Sequence, residues 1–258
     1  MTQDNSTTGS SKIRGLVFCI ITVVVAAAVA ILFYPDDEAF LNDPSRQAIL
    51  STEKNIYSQT GEEVIIRDFF QDKKGGVFVD VGSAHYRLHS TTYYLEHHLE
   101  WSGVAIDALE RYRADYEKHR SRTTFFSYYV SDESDKEEVF YQLDKNLLMS
   151  TGNKSRAEKF GQGGTTETKI KTITLNDLLD RMGIQKIDLL SMDIEDAEPA
   201  ALAGFDIQRF RPELVCIEAH HTIQKELRAY FKKHDYVRIE KYSEMHGGLN
   251  WYFMPKPE

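Results

Sequence analysis

From residue 61 onward the chain alternates short apolar runs with longer amphipathic ones, and no other feature limits its possible folds so sharply. The runs "GVFVDVG" (76–82), "GVAID" (103–107), "TTFFSYYVS" (123–131), "IDLLSMDIE" (187–195) and "ELVCIEA" (213–219) read as strands buried on both faces. Between them "EEVIIRDFF" (62–70), "TTYYLEHHLEW" (91–101), "ERYRADYEKHR" (110–120), "LNDLLDRMG" (175–183) and "AEPAALAGF" (197–205) carry helical character. "IQKELRAYFKKH" (223–234) adds a last helix. Strands alternating with helices predict an α/β fold, a parallel sheet with helices on both faces. The closing pair "YVRIEKY" (236–242) and "LNWYFMP" (249–255) predicts an antiparallel edge. A polar, glycine-bearing stretch from Asn146 to Thr168 interrupts the rhythm. It is too long for an ordinary connector, and we expect it to shape a pocket.

Upstream, residues 15–34 ("GLVFCIITVVVAAAVAILFY") run without a charge. A helix of that length spans about 30 Å, the thickness of a bilayer's hydrocarbon core. We therefore expect a tail at 1–14, one transmembrane anchor at 15–34, a stalk at 35–54 and a globular domain at 55–258. A cleaved signal peptide competes, because Lys12 and Arg14 precede the run and "AVA" at 28–30 offers a cleavage site. Those two charges, set against Asp36, Asp37 and Glu38, direct the domain away from the cytosol. Arg46 and Lys54 weaken the bias, so the side of the membrane stays open. Asn153 in "NKS" and Asn5 in "NST" are glycosylation acceptors on opposite sides of the run.

The formal net charge of -9, with no basic run, excludes nucleic acid as a partner. It leaves a small or neutral polar substrate. Cys19 lies in the apolar run and Cys216 in a strand, so no disulfide framework is expected.

In an open α/β sheet, ligands bind where strands end and helix N-termini point. Asp80 and Gly82 end the first strand and Asp107 ends the second, 27 residues after Asp80. A carboxylate at that second tip can accept both ribose hydroxyls. The full G-x-G-x-x-G fingerprint, whose later glycines serve a pyrophosphate, is missing. A nucleoside ligand without pyrophosphate fits, and S-adenosylmethionine is the commonest such cofactor. Capping of the following helices by Asp80 and Asp107 is the competing explanation.

"YSQTGEEVIIRDFF" (57–70), "GGVFVDVGSAHYRLHSTTYYLE" (75–96) and "LLSMDIEDAEPAALAGFDIQRFRPELVCIEAH" (189–220) resemble the FkbM family of class I S-adenosylmethionine-dependent methyltransferases, over about residues 55–254. The resemblance implies a Rossmann-like, seven-stranded, mostly parallel sheet with a reversed last strand. It implies cofactor contacts at Asp80, Gly82, Ser83 and Asp107, with Ser131 and Asp132 of "VSD" near the adenine. It also implies O-methylation of a small metabolite or a sugar. Two departures stand out: Tyr86 replaces a further glycine of the first turn, and Asp196 replaces the glycine of D-x-E-G.

Methyl transfer needs an aligned oxygen and a group to take its proton. Asp193 and Glu195 end the fourth strand; Glu218, His220 and His221 follow the fifth. That cluster could hold a divalent metal or supply a base. We adopt the base reading, with Asp193, Glu195 and His220 as catalytic candidates and no resident metal expected. Two other classes remain. One is an inactive, membrane-tethered binding module. The other is a nicotinamide-dependent reductase, disfavoured by the missing glycines and by the lack of a Tyr-x-x-x-Lys pair after the fourth strand.

Overall fold

The computed structural model describes residues 49–52, 56–243 and 248–257. The apolar run at 15–34, the tail and most of the stalk lie outside the described residues. Among the described residues, no helix is long and apolar enough to cross a membrane.

The chain passes through α1 (Glu62–Phe70), β1 (Val77–Val81), α2 (Tyr93–Leu99), β2 (Ser102–Asp107), α3 (Arg113–His119) and β3 (Thr123–Ser127). It then leaves the main sheet for β4 (Tyr129–Val130), β5 (Glu137–Leu143), α4 (Lys154–Phe160) and β6 (Thr165–Ile173). It returns through α5 (Leu175–Arg181), β7 (Leu189–Met192), α6 (Glu198–Ala203), α7 (Ile207–Phe210) and β8 (Leu214–Glu218). The last elements are α8 (Gln224–Lys233), β9 (Tyr236–Arg238), α9 (Glu240–Ser243) and β10 (Asn250–Pro255).

Seven strands form one sheet in the order β3-β2-β1-β7-β8-β10-β9. β1 pairs in parallel with β2 and β7, β2 with β3, and β7 with β8. β10 runs antiparallel to β8 and β9, so the last strand alone is reversed, as expected.

Alternation along the central strands sends side chains to two cores. Val79, Val81, Leu190, Met192, Val215 and Ile217 face one core, closed by α5, α6 and α8 through Leu178, Leu202, Leu227 and Phe231. Phe78, Leu189, Leu214 and Cys216 face the other, closed by α1, α2 and α9 through Ile65, Ile66, Leu95 and Tyr242. Strands covered on both sides need apolar residues at every step, which is why they read as unbroken runs. Burying a side chain of this size stabilises the fold by about 1.5–3 kcal/mol.

Two expectations change. "TTFFSYYVS" is not one strand: it breaks at Tyr128, and β4 joins a second sheet ordered β4-β6-β5. The polar stretch 146–168 is not all loop. It carries α4 and the start of β6, which pairs antiparallel with β5 from Leu143↔Thr165 to Glu137↔Lys171. Much of that hairpin is exposed, so it has no apolar run to announce it. Strand order reverses between β1 and β7, and a ligand crevice is expected beyond their carboxyl ends.

Candidate active site

A cavity of about 310 Å³ opens at that switch point. The tips of β1, β2, β7 and β8 form its floor, and Leu147, Leu148 and Met149 from the polar stretch wall it on one side. Among the described residues its lining holds six carboxylates, Glu62, Asp80, Asp107, Asp193, Glu195 and Glu218, and no lysine or arginine. An acidic interior of this kind favours a cationic ligand and repels a phosphate.

Gly82 turns the chain out of β1 at φ +81°, where a side chain is strained. Its missing Cβ would stand 1.8 Å from the Asp193 carbonyl oxygen, so glycine lets the β1 and β7 tips meet. Its N–H and that of Ser83 both donate to the Ile106 carbonyl, at 2.8 and 3.1 Å. The Ser83 hydroxyl is buried and lacks a hydrogen-bond partner among the described residues.

Asp80 is buried and accepts a hydrogen bond from Thr92 Oγ1 at 2.7 Å. Thr92 in turn accepts from Arg120 Nη2 at 3.2 Å, and Arg120 ion-pairs with Glu96 deep in the fold. Burial pushes the Asp80 carboxyl up to about 6; Thr92 and Arg120 pull it back, and Asp193 adds to the rise.

Asp107 accepts from Leu109 N at 2.8 Å through Oδ1 and from Ala84 N at 3.0 Å through Oδ2. It therefore ties the β1 and β2 turns together, and each oxygen keeps a lone pair for a ligand. Burial raises it to about 6, against the pull of those two amides.

The acidic end is built from β7 and β8. Asp193 lines the cavity and keeps exposed surface, and desolvation by the atoms around it pushes its carboxyl up to about 6. It pairs with Glu218, whose carboxyl burial and the Asp193 charge raise far above the ordinary range. Glu198, fully buried in the first turn of α6, is lifted by burial to about 8. Its Oε1 accepts from Ile194 N at 2.8 Å.

Glu195 and Asp196 both take positive φ, 58° and 79°. Asp196 meets the strain of replacing glycine with three contacts: Arg156 at 3.3 Å, His220 Nδ1 at 3.2 Å and Thr222 at 2.8 Å. Arg156, on α4, also ion-pairs with Glu195.

The expected residues do not all reach the cavity. Asp80, Gly82, Ser83, Asp107, Asp193 and Glu195 line it. Ser131 and Asp132 fall beyond the wall, because the strand breaks at Tyr128; Tyr128, Tyr129 and Val130 line it instead. His220 stands behind Glu218, with Nε2 3.2 Å from that carboxylate, and burial lowers its pKa. His221 is exposed.

Arg156, Glu198, Thr92 and Arg120 escaped the sequence reading. Arg156 left one local signal: Asn153 caps α4 by accepting from Arg156 N at 3.1 Å, a helix start inside the polar stretch.

Residues 80–238, more than half of the chain, match the family described as the Methyltransferase FkbM domain. The chain belongs to the FkbM methyltransferase family. The match contains every site residue above except Glu62 of the S-Q-T-G-E box, which precedes it. A similar solved structure is that of a Methyltransferase FkbM from Methylobacillus flagellatus KT, with 12% identity, a TM-score of 0.42 and 71% of this chain covered. The chain spans 44% of that protein's length. No curated protein matches.

Proposed function

We propose that this FkbM-family chain is an S-adenosylmethionine-dependent methyltransferase acting on an oxygen of a small polar metabolite or a sugar. The observation that carries the reading is the cavity lining, which among the described residues has six carboxylates and no lysine or arginine. A sulfonium and an ammonium suit it; the pyrophosphate of a nicotinamide cofactor does not. The residues fit such a ligand. Asp80 would face the ammonium, Gly82 would leave room beneath the chain, the unpartnered Ser83 hydroxyl would supply a hydrogen bond, and Asp107 would take the ribose hydroxyls.

When bound, S-adenosylmethionine supplies a methyl group already activated on sulfur. Asp193, open to the cavity, is placed to take the proton of an acceptor hydroxyl. Glu218 beside it sets the electrostatic surroundings of that carboxyl, and Arg156 holds the Glu195–Asp196 turn in place. His220 acts on Glu218 and not on the acceptor.

We further propose that residues 15–34 anchor the enzyme with its domain in the cytosol, where the cofactor is made. The charges flanking that run favour the opposite side, which would suit a binding module.

Transfer of a labelled methyl from S-adenosylmethionine to a panel of hydroxylated metabolites and sugars tests the reaction. The expected product is an ether stable to mild base, and Asp193→Asn lowers its yield at least tenfold. Label retained wholly in the cofactor, despite tight binding, would favour the binding module.

A further inference from the structure

The acidic end of the cavity holds three clustered carboxylates, two of which carry a buried oxygen without a hydrogen-bond donor among the described residues. One oxygen each of Asp193, Glu198 and Glu218 lies within 4.8 Å of the others. They come from the tip of β7, the first turn of α6 and the tip of β8. Glu198 has no exposed surface, and among the described residues its Oε2 meets no hydrogen-bond donor; nor does Oε2 of Glu218, a residue nine-tenths buried. Buried carboxylate oxygens without donors are costly, and converging ones repel one another.

We propose that Asp193, Glu198 and Glu218 bind one hard divalent cation of the magnesium, manganese or calcium class. An all-oxygen, anionic donor set selects that class over zinc or copper. Metal–oxygen bonds of about 2.1 Å put opposite ligands about 4.2 Å apart, and bonds near 2.4 Å put them about 4.8 Å apart. The cluster already lies at that scale. Three protein oxygens leave further positions for water or an acceptor oxygen, and Asp193 opens an entry path from the cavity.

Glu195, Glu218 and His220 form a second group of the same size. It is the poorer candidate, because Arg156 engages Glu195 and both ring nitrogens of His220 already face acids, Asp196 and Glu218, at 3.2 Å. No resident metal is expected from the sequence; the unpartnered oxygens of Glu198 and Glu218 argue otherwise. The cation's role rests on the methyl-transfer reading: coordinating an acceptor hydroxyl would orient it and ease loss of its proton. Its existence does not.

The test uses the full-length protein, stripped with EDTA, dialysed and titrated with manganese(II) while free ion is followed by electron paramagnetic resonance. One site per chain is expected, with affinity at least tenfold weaker in Glu198→Gln and in Glu218→Gln. Circular dichroism melts check that each variant folds. Should either buried variant fail to fold, Asp193→Asn, whose side chain faces the cavity, gives the same readout. Absence of a stoichiometric site overturns the proposal, as does undiminished binding in folded Glu198→Gln. Binding that His220→Ala abolishes and Glu198→Gln retains overturns it too. Titration with S-adenosylmethionine in excess EDTA reports on the cofactor separately, so a missing cation and a missing cofactor are told apart.

Discussion

Replacing Gly82 with alanine probes the join between fold and site. The residue sits at φ +81°, and holding alanine in a left-handed conformation costs about 1–2 kcal/mol. The new Cβ would lie 1.8 Å from the Asp193 carbonyl oxygen and 2.8 Å from its carbon, where ordinary contact begins at 3.4 Å. One strand tip must therefore retreat by about 1.6 Å, the difference between 3.4 and 1.8 Å. Neither tip yields easily, because Asp193 N donates to Val81 O at 2.9 Å and Gly82 N donates to Ile106 O at 2.8 Å. Overpacking of this kind costs about 1–3 kcal/mol more, so urea denaturation should show a loss of about 2–5 kcal/mol. Moving the tip also shifts Ser83 and Asp193 within the cavity wall, and S-adenosylmethionine affinity in isothermal titration should fall at least a hundredfold. A loss under about 1 kcal/mol, with affinity within threefold of wild type, would refute both the close approach and its role in binding.

Asp107→Ala should weaken cofactor binding by about 2–4 kcal/mol, since two charge-assisted hydrogen bonds to ribose are lost; a dissociation constant within threefold of wild type removes Asp107 from the site. Asp80, Asp107 and Asp193 titrate near 6 and Glu198 near 8, all above their ordinary values. Their stabilising contribution is present at low pH and is lost as pH rises through those values, so melting of the ligand-free protein should fall from pH 5.5 to pH 8. A flat or rising profile contradicts the raised values. For Asp80 alone, a shift from 3.8 to about 6 corresponds to about 3 kcal/mol. Asn153 is exposed at the start of α4, and a cytosolic domain predicts that it stays unglycosylated in microsomes; glycan lost in Asn153→Gln would reverse the proposed orientation.

The sheet was legible because its central strands are buried on both faces and spell unbroken apolar runs. The same burial made Asp80 and Asp107 conspicuous, as carboxylates where such runs end. The β5–β6 hairpin carried no such signal: its outer residues face solvent and need not be apolar. Ser131 and Asp132 were misplaced relative to the cavity for a related reason, since a strand break at Tyr128 leaves the apolar pattern intact while redirecting the chain. Glu198 reads as an ordinary first-turn acid, and only the fold buries it against Asp193 and Glu218. Arg156 and Arg120 reach the site across 39 and 24 residues of sequence, to Glu195 and Glu96, which no local pattern records.

Isothermal titration of the full-length protein with S-adenosylmethionine, and in parallel with NAD, tests the central claim most directly. An acidic cavity with no lysine or arginine in its lining among the described residues predicts saturable one-to-one binding of S-adenosylmethionine and none of NAD. NAD binding at comparable affinity, or no heat from S-adenosylmethionine, would contradict it.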